Sequence, residues 1–261
     1  MEEYFSRSEA LLGAEVMKVL RDKRVILFGV GGVGSWCAEC LIRTGLKHLT
    51  IVDGDGVQAS NINRQLPATQ ATIGQPKVEA LKARLLEINP EAEIISIAEM
   101  YKPTPSLERG ELTSSNQFHL EGYDYVIDAI DDVAAKADLI TYATRVRGLK
   151  IFSSMGAALR FDPTQVTIGE LMDIKGDALA KAVRARMKRL GKKPYRKVKC
   201  VYSTENGQKS IVESRELRDE SRKNDTIKGS LMQVTAVFGL TLASMVIEDI
   251  KNYSRSLGGP K

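Results

Sequence analysis

Between residues 23 and 154 the chain alternates short apolar runs with amphipathic stretches. Val25–Gly29 (VILFG) is a β-branched run ending on glycine, and His48–Asp53 (HLTIVD) is a second run ending on an acid. Between them Trp36, Cys37, Cys40 and Leu41 recur at helical spacing. Val78, Leu81, Leu85 and Ile88 place another helix over residues 75–88, and Pro90 follows its end. Further strands are expected at Glu93–Met100, Tyr123–Asp132 and Lys150–Ser154, with a helix over Ala134–Arg147 before the last. The polar segment 102–120, with Pro103, Pro105 and Gly110, reads as irregular surface with a short helix. Strands alternating with helices imply a Rossmann-like, doubly wound α/β fold, with a mostly parallel sheet and helices on both faces.

After Gly156 the pattern changes to a C-terminal α+β extension. GDALAKAVRARMKRLG reads as a helix with Asp177 as N-cap and Gly191 just past its end. Leu179, Val183, Met187 and Leu190 share one face, and Lys181, Arg184 and Lys188 another. Lys199–Thr204 is expected as an edge strand, Glu205–Lys228 as a mobile loop, and Ser230–Tyr253 as a final helix. Residues 1–156 form the nucleotide-binding unit in this reading, and 157–261 pack onto the same fold.

Composition narrows the class. With 43% hydrophobic and 27% charged residues the chain reads as an ordinary globular protein. The N-terminal MEEYFSRSEALLG carries early acids and no apolar core, so it does not read as a secretory signal. The most apolar stretch, Leu231–Ile247, is interrupted by Gln233, Thr235, Gly239, Thr241 and Ser244; it is expected to be a core or dimer-interface helix, with no stable membrane insertion. Three cysteines, Cys37, Cys40 and Cys200, make no disulfide framework and point to a reducing cytoplasm. Cys37 and Cys40 have no second pair to complete a zinc quartet and read as small core residues. Cys200 reads as a half-buried strand residue, outside the catalytic set. Neither histidine, His48 or His119, has a metal-ligand spacing. The charge is uneven: Lys175–Cys200 holds eleven basic residues against Asp177 alone, a charge of +10 in a chain of net +5. Such an excess points to a polyanionic partner.

Gly29-Val30-Gly31-Gly32-Val33-Gly34 fits G-x-G-x-x-G between a strand and a helix. Glycines let the backbone approach a phosphate, and the helix offers free N–H groups with a positive dipole end. Asp53 ends the next strand, where a carboxylate can accept from ribose hydroxyls. By itself the turn says only that a nucleotide is bound, since nicotinamide and flavin enzymes share it. The continuation discriminates. A hydride-transfer enzyme has no need of Asn61, Asn63, Arg64 and Lys77 so close to the ribose acid, whereas a triphosphate cut between its α- and β-phosphates needs cations on both sides. ATP also brings Mg²⁺, which needs a carboxylate. Asp128 and Asp131 sit at the end of a strand on the ligand-binding edge, and Asp131, further into the loop, is the favoured ligand.

From Val25 to Asp131 these residues resemble the E1-like (ThiF/MoeB/HesA) adenylating superfamily: GVGGVG, the D-x-D at Asp53 and Asp55, N-I-N-R-Q at Asn61–Gln65, Lys77, and D-A-I-D-D ending at Asp132. The resemblance implies Mg-ATP binding, an acyl adenylate, pyrophosphate release and a homodimer. It also implies that an N-terminal arginine of the partner subunit reaches the phosphates, and Arg7 holds that position. Gln65 joins the nucleotide-binding set on the same ground. Members that activate ubiquitin-like or sulfur-carrier proteins usually carry two zinc-binding C-x-x-C pairs, which are absent here. Phe5–Gly13, Ser35–Glu39, Ser154–Ala157, Arg160–Thr164, Asp177–Lys181 and Val201–Glu205 instead look like a tRNA-modifying branch. That branch dehydrates N6-threonylcarbamoyladenosine beside the anticodon to a cyclic form. The implied partner is a modified tRNA, with a sulfur-transfer or other accessory protein as a further candidate. Lys181, Arg184, Lys188, Arg189, Lys192, Lys193 and Arg196 then form the expected phosphate-contacting surface. Few aromatics interleave these bases, so base stacking is not expected.

Overall fold

The computed structural model describes residues 3–103, 118–207 and 228–256. The short helices α1 (Ser6–Leu12) and α2 (Ala14–Asp22) precede β1 (Arg24–Phe28), α3 (Gly34–Thr44) and β2 (His48–Val52). α4 (Lys77–Ile88), β3 (Glu93–Ile97), β4 (Tyr125–Asp128), α5 (Val133–Ala143) and β5 (Lys150–Ser154) follow. The chain continues through β6 (Val166–Glu170), α6 (Ala178–Arg189), β7 (Lys199–Ser203) and α7 (Met232–Ser256).

The strands form one sheet in the order β3-β2-β1-β4-β5-β7-β6. Every pairing is parallel except the antiparallel β6–β7. Strand residues alternate between two cores. Val25 and Leu27 face α2, α3, α4 and α7, whereas Ile26 and Phe28 face α5 and α6. This is the doubly wound α/β fold that the alternating pattern implies. Its strand order reverses between β1 and β4, which opens a crevice where such sheets bind ligands.

The extension joins the same sheet through β7 and β6, and α7 packs against α2, α3 and β5. α7 is long and apolar enough to cross a membrane by length and composition, yet 56% of its most apolar window is buried inside the protein. It is a core helix. Gly239 makes its approach to α3 possible, because a Cβ there would lie 2.3 Å from the Val33 carbonyl oxygen.

Several expectations need correction. Lys199–Thr204 is not an edge strand: β7 lies between β5 and β6, and β6 is the edge. β6 escaped the sequence reading because its residues are half-buried or exposed on both faces, which leaves no clear alternation. The strand expected to reach Met100 stops at Ile97, because β2, its neighbour, ends at the register pair Val52–Ile97. The helix expected to reach Arg147 ends at Ala143, where the Thr144 hydroxyl bonds back to the Ile140 carbonyl. The strand within 123–132 is confined to Tyr125–Asp128. α1 and α2, broken at Gly13 with φ +89°, were not anticipated, although Val16, Met17 and Leu20 carry the helical spacing. Most of the 102–120 and 205–228 segments lie outside the described residues.

The α3–α7 contact yields a prediction. Gly239→Ala forces a methyl group against Val33 and Trp36, so it should destabilise the protein by about 1–3 kcal/mol, read as a fall in the urea midpoint. An unchanged midpoint would show that the helices separate freely.

Candidate active site

The site is built at the C-terminal ends of β1, β2 and β4. Gly29 leaves β1 with φ +86°, and a Cβ there would fall 2.7 Å from the Ala129 carbonyl oxygen at the end of β4. At Gly34 a Cβ would sit 1.8 Å from the Gly29 carbonyl oxygen, so the turn can close only without a side chain. α3 therefore starts directly behind the turn, and no side chain caps its first N–H groups. An uncapped helix end facing a crevice is suited to an anion. At Gly31 and Gly32 the nearest atoms belong instead to the flexible side chains of Gln65, Arg64 and Thr235.

Asp53 braces this turn. Its carboxylate accepts from the Val30 amide at 2.8 Å and from the Asp55 amide at 2.9 Å. Burial pushes the Asp53 carboxyl up from its ordinary value, and the Lys77 charge opposes that shift. Lys77, itself buried, donates to Asp55 at 2.8 Å. It stands at the first turn of α4 and so points its ammonium at the same edge. Asn61 is buried and closes a one-turn helix by accepting from the Gln58 amide at 3.0 Å.

Arg64 is half-buried. Its guanidinium donates to the Ser60 carbonyl at 2.9 Å and the Asn63 side chain at 2.8 Å, and its own carbonyl accepts from the Trp36 indole. Desolvation lowers the guanidinium pKa from its ordinary value, and the Asp131 charge opposes that shift. Gln65 lies beside Gly31, buried, with its side-chain oxygen lacking a hydrogen-bond partner.

The two aspartates after β4 have different surroundings. Asp128 is fully buried; it accepts from Lys136 at 2.8 Å and Ser153 at 2.6 Å, and its other oxygen accepts from the Ile130 amide. Asp131 is exposed. Asp132 caps α5 through the Ala135 amide. Asp128 thus shapes the acidic turn, and Asp131 is the carboxylate it leaves accessible.

The geometry gathers Gly29, Gly31, Gly32, Gly34, Asp53, Asp55, Asn61, Arg64, Gln65, Lys77 and Asp131 around one crevice. It does not bring Arg7 there. Arg7 is exposed on α1, next to Phe5, which packs at Gly45 beyond the far end of α3. α3 separates that point from the glycine turn by about 16 Å. Of the basic set, Lys181, Lys188, Arg189, Lys193 and Arg196 are exposed. Arg184 and Lys192 are half-buried, and Arg184 donates to the Leu171 carbonyl. Arg196 spends its guanidinium on the carbonyls of Ala143, Thr144 and Val146. Sequence reading missed Trp36, Ser153 and Lys136 as supports of the site. The eight-residue step from Asp128 to Lys136 carries no local signal, because their pairing arises across a strand and a helix. Cys200 is fully buried rather than half-buried, and burial pushes its thiol up to about 12.

A glycine turn at the strand-order reversal, with Arg64, Lys77 and Asp131 on the segments around it, has the arrangement suited to a nucleotide phosphate on a doubly wound sheet. Residues 5–259 match the ThiF family model, and the chain belongs to the ThiF family. A tRNA threonylcarbamoyladenosine dehydratase of Bacillus subtilis is 36% identical over 253 residues, 94% of this chain and 94% of its own. The crystal structure of Escherichia coli tRNA N6-threonylcarbamoyladenosine dehydratase in complex with ATP is similar with a TM-score of 0.79 at 30% identity, over 98% of this chain and 97% of that one. The structure of the same enzyme with AMP gives 0.82 at 30% identity, over 97% and 96%.

The two aspartates should separate in unfolding experiments. Asp128→Ala strands the buried Lys136 charge and is expected to cost about 3–5 kcal/mol, while Asp131→Ala stays within about 0.5 kcal/mol of the parent. Equal urea midpoints for the two variants would contradict the assigned roles.

Proposed function

We propose that this chain is an ATP-dependent enzyme that dehydrates N6-threonylcarbamoyladenosine in a tRNA anticodon loop to its cyclic form. The carrying observation is the likeness to dehydratases along the whole chain, including the extension after residue 156 that holds the basic segment. The threonyl carboxylate attacks the α-phosphorus of ATP, and pyrophosphate leaves. The carbamoyl group of the same nucleoside then attacks the acyl carbon, a ring closes, and AMP leaves with the former carboxylate oxygen. With the second nucleophile already in the substrate, no covalent enzyme intermediate is needed.

Each site residue has a role in this reading. The glycine turn and the start of α3 hold phosphate, and Asp53 keeps the turn in register with β2. Arg64 and Lys77 offset charge on the α-phosphate and the departing pyrophosphate. Asn61, Asp55 and Gln65 line the nucleotide pocket. Asp131 would hold Mg²⁺, whose charge offsets that of the triphosphate. One accessible carboxylate suffices, since Mg²⁺ is usually bound by one or two carboxylates with phosphates and waters.

Arg7 lies too far from its own glycine turn to serve it, which supports a homodimer in which each Arg7 reaches the partner's phosphates. Free cysteines and a tRNA substrate accord with a cytoplasmic location. Adenylation of a ubiquitin-like or sulfur-carrier protein is the second reading. The +10 segment favours RNA over it.

AMP release driven by N6-threonylcarbamoyladenosine-bearing tRNA tests the assignment. The parent protein should respond to that tRNA, and Asp131→Ala and Arg64→Ala should each lose about 100-fold or more while staying folded. Turnover with a Gly-Gly-ended carrier alone would sink the tRNA reading. Mixing Arg7→Ala with Asp131→Ala subunits, each inactive alone, should restore roughly a quarter of parental activity, because half the dimers hold one intact site. No recovery would remove Arg7 from the partner's site.

A further inference from the structure

We infer that Tyr195, backed by Arg145, is a stacking platform for an unpaired nucleotide of the substrate RNA, at the sheet edge opposite the glycine turn. The inference rests on the tRNA reading above and adds a contact of a different kind to the basic set.

Tyr195 is 69% exposed, yet its backbone is anchored. Its amide donates to the Thr144 hydroxyl at 3.1 Å, and the next residue, Arg196, bonds three carbonyls at the C-terminus of α5. The Arg145 guanidinium lies 5.1 Å from the Tyr195 ring centroid, within cation–π range. An exposed ring on an anchored backbone, with a guanidinium beside it, has less freedom to lose on binding. Unpaired RNA bases stack on such aromatic and guanidinium planes.

The position follows from topology. α5 and α6 both start at the catalytic edge: α5 follows β4, and the α6 cap Asp177 accepts from the Gly156 amide just past β5. Both run to the opposite edge, and α6 covers about 18 Å on the way. Lys181, Lys188, Arg189 and Lys193 are exposed in that order along this path, and Tyr195 and Arg145 stand at its far end. An RNA whose modified adenosine enters the crevice therefore tracks its phosphates along α6 and meets the ring beyond them. The cations carry the salt-dependent part of binding, and the ring carries a part that salt does not screen.

The test measures binding and AMP release with modified tRNA over a range of salt. Tyr195→Ala should weaken tRNA binding about 5- to 150-fold, leave the slope of log affinity against log salt and the KM for ATP unchanged, and spare kcat at saturating tRNA. Tyr195→Phe and Tyr195→Trp should keep parental affinity. Lys188→Ala, by contrast, should reduce the salt slope by about one contact. Parental affinity in Tyr195→Ala, or a loss shared equally by Tyr195→Phe, overturns the platform while leaving the tRNA reading intact. Absence of any tRNA-driven turnover in the parent protein overturns both.

Discussion

The backbone of Gly34 passes so close to the Gly29 carbonyl that a methyl group at Gly34 would lie 1.8 Å from its oxygen, and the site depends on that approach. It lets α3 begin immediately behind β1. That puts an uncapped helix end at the crevice between β1 and β4, where the strand order reverses. It also fixes where α3 lies, and hence where α7 can pack, since Gly239 admits the Val33 carbonyl. The Asp53 carboxylate then ties the turn to the end of β2 through Val30. A phosphate loop, a helix packing and a strand end are thus one construction rather than three.

A second constraint operates from the other core. The Asp128–Lys136 pair has no solvent exposure, and Ser153 supplies an additional hydrogen bond. Burying two charges is unfavourable unless their geometry and hydrogen bonds are good, so this pair specifies an arrangement more than it stabilises one. What it specifies is the turn after β4. Asp128 holds the Ile130 amide, and one residue later the chain presents Asp131 to solvent. Two aspartates three residues apart are thereby divided into a buried scaffold and an exposed carboxylate.

The basic segment shows how the fold sorts residues that look alike in sequence. Arg196 and Arg184 spend guanidinium donors on backbone carbonyls, so part of their charge serves the ends of neighbouring elements. Lys181, Lys188, Arg189 and Lys193 remain exposed. Tyr195, the one aromatic within the basic run, is anchored through its amide to Thr144, the residue that also engages Arg196. Arg184 and Arg196 are therefore held in place by backbone carbonyls, while Arg196 stays exposed with the lysines.

The sequence by itself determined the β1–α3–β2 unit, the parallel sheet, the glycine turn and the neighbourhood of Arg64, Lys77 and Asp131. Those are local: period-2 and period-3.6 patterns and close spacing survive without knowledge of contacts. It also held the likeness to the E1-like superfamily, because the motifs lie in contiguous runs. Only the tertiary structure decided that β7 is interior and β6 the edge, since strand order follows from pairing between distant segments. The same holds for the locking of Asp128 by Lys136 and the placement of Arg7 at the wrong end of α3 for its own site. Each of these depends on which elements meet across a core, and no single stretch of chain carries that information.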